Sequence, residues 1–408
     1  MNNAIDIKNL LDNSTIDVKF QPIVSVIRKS VIGLAGTSMG ADLYGHFFPA
    51  NELFDCAEKN DSEIDLDRLI RKNIIEKFNN ICTDDEKLLF ISINMAVISK
   101  FVGSGIILDL INKSNINPQN VVLEIFENNI DDVDILQQFI NSYRSRGFLV
   151  ALTIGSGFAN LDKISQVEPD IIKISESITK DIELNFYKQE VFKSLVNLSK
   201  KISALVVADG INVEGQAITS LELGAEMLQG DYFGEYKNIK GNFLNSVKEK
   251  VNYIASQYKK HKTEQIEFEK SNHKRYDECL NNIITSLSTT KENEFDDKLT
   301  EFINKYDFFE CAYVLDNCGV QVSDTITRFK TIFSQKAFIF KPAKKGTDHS
   351  LKKYYYFLDN MGLNKYVTDA YISLASGNLC ITISEKFKGV DNKNYILCID
   401  LNPNYINL

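Results

Sequence analysis

Few residues in this chain have the type and spacing to do chemistry. Its four His are dispersed, and its seven Cys (Cys56, Cys82, Cys279, Cys311, Cys318, Cys380 and Cys398) include no CxxC pair. That pattern excludes a zinc site of the usual spacing and reads as reduced, mostly buried thiols. The acidic run Asp131–Asp134 falls at an expected helix start, where carboxylates favour the helix dipole. Gly155 and Gly157 read as turn glycines, because a lone GxG is too weak a signal for a phosphate loop. The polar residues that remain stand singly at the ends of short apolar runs: Asn94, Glu124, Lys173, Asp209 and Gln229. At such places a polar side chain pairs with a neighbour and satisfies the end of a sheet. An ion pair of Lys173 with Glu124 or Asp209 is the expected arrangement, since an unpaired buried charge is costly. By contrast "VIGLAGTSMG", residues 31–40, is a strand-like run with no acid or base at all.

The elements that would position these residues alternate. Between about residues 16 and 240 the runs "DVKFQPIVSV", "LLFISINM", "VVLEIF", "FLVALTI", "IIKIS", "ALVVADG" and "EMLQGDYF" read as strands. Amphipathic segments separate them. In "DVDILQQFINSYRSRG", Val133, Leu136, Phe139, Ile140 and Tyr143 share one face, and Gly147 closes the helix. Strands alternating with helices imply a parallel sheet, and this many units favour a closed α/β barrel of the TIM-like (β/α)8 kind over an open sheet.

From about 244 the style changes. A stretch to about 290 lacks Pro and Gly and is highly charged, with Val247, Val251, Ile254 and Tyr258, and later Leu280, Ile283, Ile284 and Leu287, at helical spacing. It reads as one long helix or two in sequence with a polar middle, either a solvated linker or a signalling and dimerising helix. Beyond about 300, "CAYVLDNCGVQVSD", "KAFIFKP" (336–342), "YVTDAYISLASGNLCITISEKF" and "NYILCIDLN" are strand-like, with hairpin turns at Asn317–Gly319 and Ser376–Asn378. This is a smaller antiparallel α+β domain. The expected division is therefore 1–243, 244–295 and 296–408.

The chain has 408 residues, 44% hydrophobic and 25% charged, with a net charge of -9. That supports two or three packed domains and argues against a general nucleic-acid surface, which needs a basic excess. No signal peptide and no apolar run of membrane-spanning length is evident, so a soluble cytoplasmic protein without membrane contact is expected.

Read in order, "FQPIV", "GLAGTSM", "SINMA", "VLEIFE", "ALTIGSGFANL", "PDIIKISESI", "VVADGINVEGQ" and "LGAEMLQGDYFG" resemble the EAL-domain family of cyclic di-GMP phosphodiesterases over roughly residues 16–240. The resemblance implies a TIM-like barrel with its site at the C-terminal strand ends. It also implies two divalent metal ions about 3.5–4 Å apart, held mostly by carboxylates. Position by position, the signature Glu falls on Ala35 and the phosphate-holding Arg on Met39. The ligand Asn is kept as Asn94 and the ligand Glu as Glu124. The paired Asp give way to Thr153 and Ile154, with the segment one residue short. The Lys is kept as Lys173, but the next Asp is Ser175. The "AEGVE" acids become Asp209 and Asn212. Gln21, Pro22 and Gln229 are kept.

Of seven family carboxylates, five are lost. Glu124, Asp209 and one amide cannot neutralise two divalent ions, so no metal and no cofactor is expected. The resemblance then implies a catalytically inactive regulator in cyclic di-GMP-related signalling, acting as a homodimer on an unidentified protein partner. The alternative is a metal-independent cyclic di-GMP receptor using Gln21, Pro22, Lys173 and Gln229, and the third is a residual phosphodiesterase. The C-terminal domain resembles the PAS/Cache-like sensory modules found behind some EAL domains. Tyr354, Tyr355, Tyr356 and Asp369 are its candidate ligand contacts, against the alternative that the Tyr run alternates between core and surface.

Overall fold

The computed structural model describes residues 7–12, 16–41, 47–82, 86–94, 106–114, 116–126, 132–155, 161–239, 241–328 and 340–402. The chain forms two compact units, Met1–Lys260 and His261–Leu408.

The first unit is a closed barrel. Strands β1 (Ile16–Ser25) and β2 (Ser30–Ala41) form a hairpin, to which β3 (Phe47–Pro49) adds a short pairing. Strands β4 (Leu88–Ser92), β5 (Val121–Phe126), β6 (Leu149–Ile154), β7 (Ile171–Ile174), β8 (Leu205–Ala208) and β9 (Met227–Gln229) then follow in parallel from β2. The barrel closes because β1 pairs with both β9 and β2. Those two pairings are antiparallel within an otherwise parallel barrel. The cause is local. A tight turn, with Lys29 at φ 52° and its N–H on the Val26 carbonyl at 3.2 Å, joins β1 to β2, and so short a link fits only antiparallel strands.

Alternation along each strand sorts the side chains. One set, Ile23, Ala35, Phe90, Val122, Ala151, Ile171, Val207 and Met227, meets inside the barrel. The other set, with Leu34, Leu123, Leu152, Ile172, Val206 and Leu228 among it, packs against the surrounding helices. Burial on both faces is why these strands read as unbroken apolar runs. The helices are α1 (Ile7–Asp12), α2 (Ala50–Glu58), α3 (Glu63–Ile81), α4 (Ile106–Asn112), α5 (Val133–Arg144), α6 (Asp162–Val167), α7 (Glu176–Thr179), α8 (Phe186–Lys201) and α9 (Glu214–Glu222). In α5 the Asp132 side chain caps the start, accepting from the Ile135 N–H at 3.1 Å, and Leu136, Phe139, Ile140 and Tyr143 are the buried face. Asp131 lies outside the described residues.

The charged stretch is a single helix, α10 (Phe243–Ser288). Its early residues Val247, Val251 and Ile254 belong to the core of the first unit, and Leu280, Ile283 and Leu287 to that of the second. The second unit continues with α11 (Phe295–Lys305), β10 (Phe309–Asp316), β11 (Ile326–Thr327), α12 (Lys353–Asn360), β12 (Lys365–Val367), β13 (Tyr371–Ile372), β14 (Leu379–Lys388) and β15 (Asn394–Leu401). The antiparallel sheet runs β11-β10-β15-β14-β12, with β13 also on β14. One face, including Val314, Ile383, Leu397 and Ile399, packs on α11 and the end of α10. Of the strand expected over 336–342, residues 336–339 lie outside the described residues and 340–342 are not in a strand. Among the described residues no helix is long and apolar enough to cross a membrane.

Candidate functional site

The period of a β-strand carries the site. Two residues beyond the inward-facing Val122, Ala151, Ile171, Val207 and Met227 come Glu124, Thr153, Lys173, Asp209 and Gln229, so these share the barrel interior nearer its C-terminal mouth. On antiparallel β1 the corresponding step runs backwards, from Ile23 to Gln21.

Lys173 is the hub. Its Nζ lies 2.8 Å from Glu124 Oε1 and 3.2 Å from Asp209 Oδ2, so it makes both of the alternative ion pairs. Thr153 Oγ1 donates to the same Glu124 oxygen at 2.8 Å. Glu124 is 2% exposed and Lys173 3%, so neither charge is screened by water. Burial opposes the lysine's charge, but the Asp209 and Glu124 carboxylates outweigh it and hold the ammonium above the usual lysine range. Tyr236 is partly exposed, and its hydroxyl accepts from Gln229 Nε2 at 3.2 Å. Burial, relieved in part by Lys173, pushes that phenol up to about 12.

A chain of amides adjoins the hub. Gln21 Nε2 donates to Asp231 Oδ1 at 2.9 Å, and Gln229 Nε2 donates to Gln21 Oε1 at 2.8 Å. Both glutamines are buried. Partial burial, with Glu235 and Glu176 nearby, raises Asp231 above the usual carboxylate range.

The other expected positions divide. Ala35 is buried in the apolar floor of the barrel. Met39 is half-buried opposite Asp17 on β1. Asn94 lies just past β4 and is half-buried. Ile154 packs outward against the helices, so only Thr153 of that pair faces the site. Ser175 Oγ is 2.6 Å from Ser177 Oγ. Asn212 is exposed, with its Nδ2 donating to Glu176 Oε1 at 3.2 Å. Pro22 is buried on β1 opposite Leu34. Gly155 is described, whereas Ser156 and Gly157 lie outside the described residues. Asp231, Glu176, Glu235 and Tyr236 were not expected at the site. The available signal was adjacency: Glu176 follows Ser175, and Asp231 comes two residues after Gln229.

In the second unit the four candidate contacts have different surroundings. Tyr354 is in the core with its hydroxyl 2.6 Å from His349 Nδ1. Tyr355 Oη donates to the Asn317 carbonyl at 3.0 Å. Tyr356 packs at a tilt beside Phe357, and Asp369 is exposed. The buried acids of this unit include Glu310 and Asp400, and Asp400 accepts from Thr382 Oγ1 at 2.7 Å, Ser373 Oγ at 2.9 Å and Cys311 Sγ at 3.1 Å. Burial raises its carboxyl above the usual range.

Comparison with known proteins follows the same division. The EAL domain family model matches residues 5–236. "Probable cyclic di-GMP phosphodiesterase PdeB" of Escherichia coli is 23% identical over 226 residues, which is 55% of this chain but 43% of PdeB, so the chain spans under half of that relative's length. The Bacillus subtilis protein YkuI, an uncharacterised EAL-domain protein, is 24% identical over 410 residues, covering 95% of this chain and 94% of YkuI. The crystal structure of YkuI, in complex with cyclic di-GMP and calcium, superposes with a TM-score of 0.79 at 20% identity, over 98% of this chain and 99% of that one. At that identity the likeness establishes the fold.

Proposed function

Because the chain belongs to the EAL-domain family, we propose that it is a member without metal-dependent phosphodiesterase activity, which regulates cyclic di-GMP-related signalling through contact with another protein. The observation that carries this reading is the Lys173 hub: the ammonium lies 2.8 Å from Glu124 and 3.2 Å from Asp209. Those are the two carboxylates retained from the family set, and both are committed to a cation of the chain itself.

Two divalent ions would bring four positive charges and would need a strongly anionic oxygen cage. Ala35, Met39, Thr153, Ile154, Ser175 and Asn212 supply no carboxylate to it. Among the described residues no group of three or more His, Cys, Asp or Glu is arranged to hold a metal ion. The residues present therefore do not fit the pair. In this reading the barrel, 1–243, is the regulatory module, 244–295 connects it, and 296–408 is a sensory or dimerising unit of a homodimer.

The test is isothermal titration of the full chain with cyclic di-GMP in calcium and again in EDTA, with chromatography for hydrolysis product in manganese. No heat and no product is the expected result. Saturating heat in both buffers would replace this reading with a metal-independent receptor. Heat in calcium alone, or product in manganese, would restore the metal site and overturn it.

A further inference from the structure

One hairpin of the second unit carries exposed apolar side chains. It runs from β13 into β14, with Tyr371 opposite Cys380 and Ile372 opposite Leu379. Ile372, Leu374 and Leu379 are all exposed on it. Three side chains of its turn reach back to two buried carboxylates. Ser373 Oγ donates to Asp400 Oδ2 at 2.9 Å, Ser376 Oγ donates to Glu310 Oε2 at 3.1 Å, and Asn378 Nδ2 donates to Glu310 Oε1 at 3.4 Å.

The two acids meet because β10 contains one extra residue. Phe309 pairs with Leu401 on the face packed against the helices, whereas Cys311 pairs with Asp400 on the other face. Glu310 is left without a partner on β15, as in a β-bulge, a device that re-aims a side chain. Glu310 is 4% exposed and Asp400 2%, and neither makes an ion pair among the described residues. Arg328, whose N–H donates to the Glu310 carbonyl, directs its guanidinium to the carbonyls of Ile303 and Tyr306. Around Asp400 stand the phenols of Tyr313, Tyr354 and Tyr371 and the thiols of Cys311, Cys380 and Cys398. Burial pushes all six up, so they bring no charge at neutral pH. Burial also raises the Glu310 carboxyl, and the Asp400 charge raises it further. A buried carboxylate that lacks a cation favours its protonated form, and two side by side resist ionising together.

We propose that Glu310 and Asp400 form a proton-operated latch for the 372–379 hairpin: while at least one acid holds a proton the hairpin stays docked on the sheet, and when both ionise it swings out and opens them to water. The latch belongs to the second unit alone and does not depend on what the barrel does. Linkage sets its direction. Docking raises both carboxyls above their ordinary values, so the docked form binds protons more tightly. The docking advantage is fully present below those ordinary values, at about pH 4, and is lost as pH rises through the raised ones. Acid closes the latch and base opens it.

The experiment is hydrogen–deuterium exchange of the full chain at about pH 4.5 and about pH 8, read by mass spectrometry as protection factors corrected for intrinsic exchange. In the wild type the segment 371–380 is expected to lose protection about tenfold or more from the lower to the higher pH, the response to one carboxyl raised by about a unit. Barrel strand β5 in the same molecules is the reference and is expected to change less than about twofold. Glu310→Gln/Asp400→Asn, which keeps the shape of the protonated acids, is expected to stay protected at both values. Ser373→Ala/Asn378→Ala, which removes the grip of the turn, is expected to exchange fast at both. If the amide pair unfolds the unit, which exchange in β10 would show, Glu310→Gln alone carries the test and must flatten the response. A wild-type hairpin equally protected at both values overturns the latch. So does a pH response that survives in the amide variants, or one that β5 shares equally.

Discussion

At the scale of single residues, the buried hub makes a prediction that a surface ion pair would not. Removing one member of a buried pair leaves the other charge uncompensated, which typically costs about 3–5 kcal/mol. Lys173→Met is therefore expected to lower the urea midpoint strongly, and Lys173→Met/Glu124→Leu to recover most of the loss. A double variant no better than the single one would mean that the lysine stem, and not its charge, holds the barrel. The pH dependence has a definite sign. Folding raises the lysine above its ordinary value of 10.5, so its contribution is fully present below that value and is lost only as pH rises beyond it. Stability from this pair should thus be level through the neutral range. The ion pair itself was readable from Lys173, Glu124 and Asp209 as the polar residues at three strand ends. That one ammonium serves both acids was not, because it depends on how barrel stagger brings β5, β7 and β8 together in space.

At the scale of elements, the segment after β9 is held by its backbone. Gly230 has φ 150°, and a Cβ there would collide with the backbone N and O of Ile211. Those same Ile211 atoms bind the segment on either side, the N–H donating to the Gln229 carbonyl at 2.9 Å and the carbonyl accepting from Tyr232 N–H at 3.0 Å. Gly230→Ala is expected to displace Asp231 and Tyr236 and to cost about 1–3 kcal/mol from strain alone. An unchanged unfolding midpoint would show that the segment relaxes freely. Most barrel strands were legible because burial on both faces leaves an unbroken apolar run, as in "VVLEIF" and "FLVALTI". Helix α5 was legible from its 3.6-residue period. The two-residue strands β11 and β13 were not recognisable as separate strands, since a period cannot be seen in so short a stretch. Asp231 and Glu176 escaped notice for a related reason: their partners Gln21 and Asn212 are distant along the chain, and no spacing encodes such contacts.

At the scale of the whole molecule, the two units have separate cores but share one helix of 46 residues. Ile254 is 0% exposed in the first core and Ile283 1% in the second. Truncating either to Ala should cost about 2–5 kcal/mol. In scanning calorimetry Ile254→Ala is expected to lower the transition of the barrel, and Ile283→Ala that of the C-terminal unit. If each variant lowers both transitions equally, the units unfold as one. On the proposed reading, the Lys173 hub also bears on what it would take to build a two-metal site in this barrel. Restoring a carboxylate at Ala35 places it among Ile23, Phe90 and Val122, in an apolar floor where an ionised acid is poorly tolerated. On that reading such a carboxylate would serve a metal only if Lys173 released Glu124 and Asp209, and breaking a buried ion pair is itself unfavourable. On that reading no single substitution makes the site, and several would have to be introduced together.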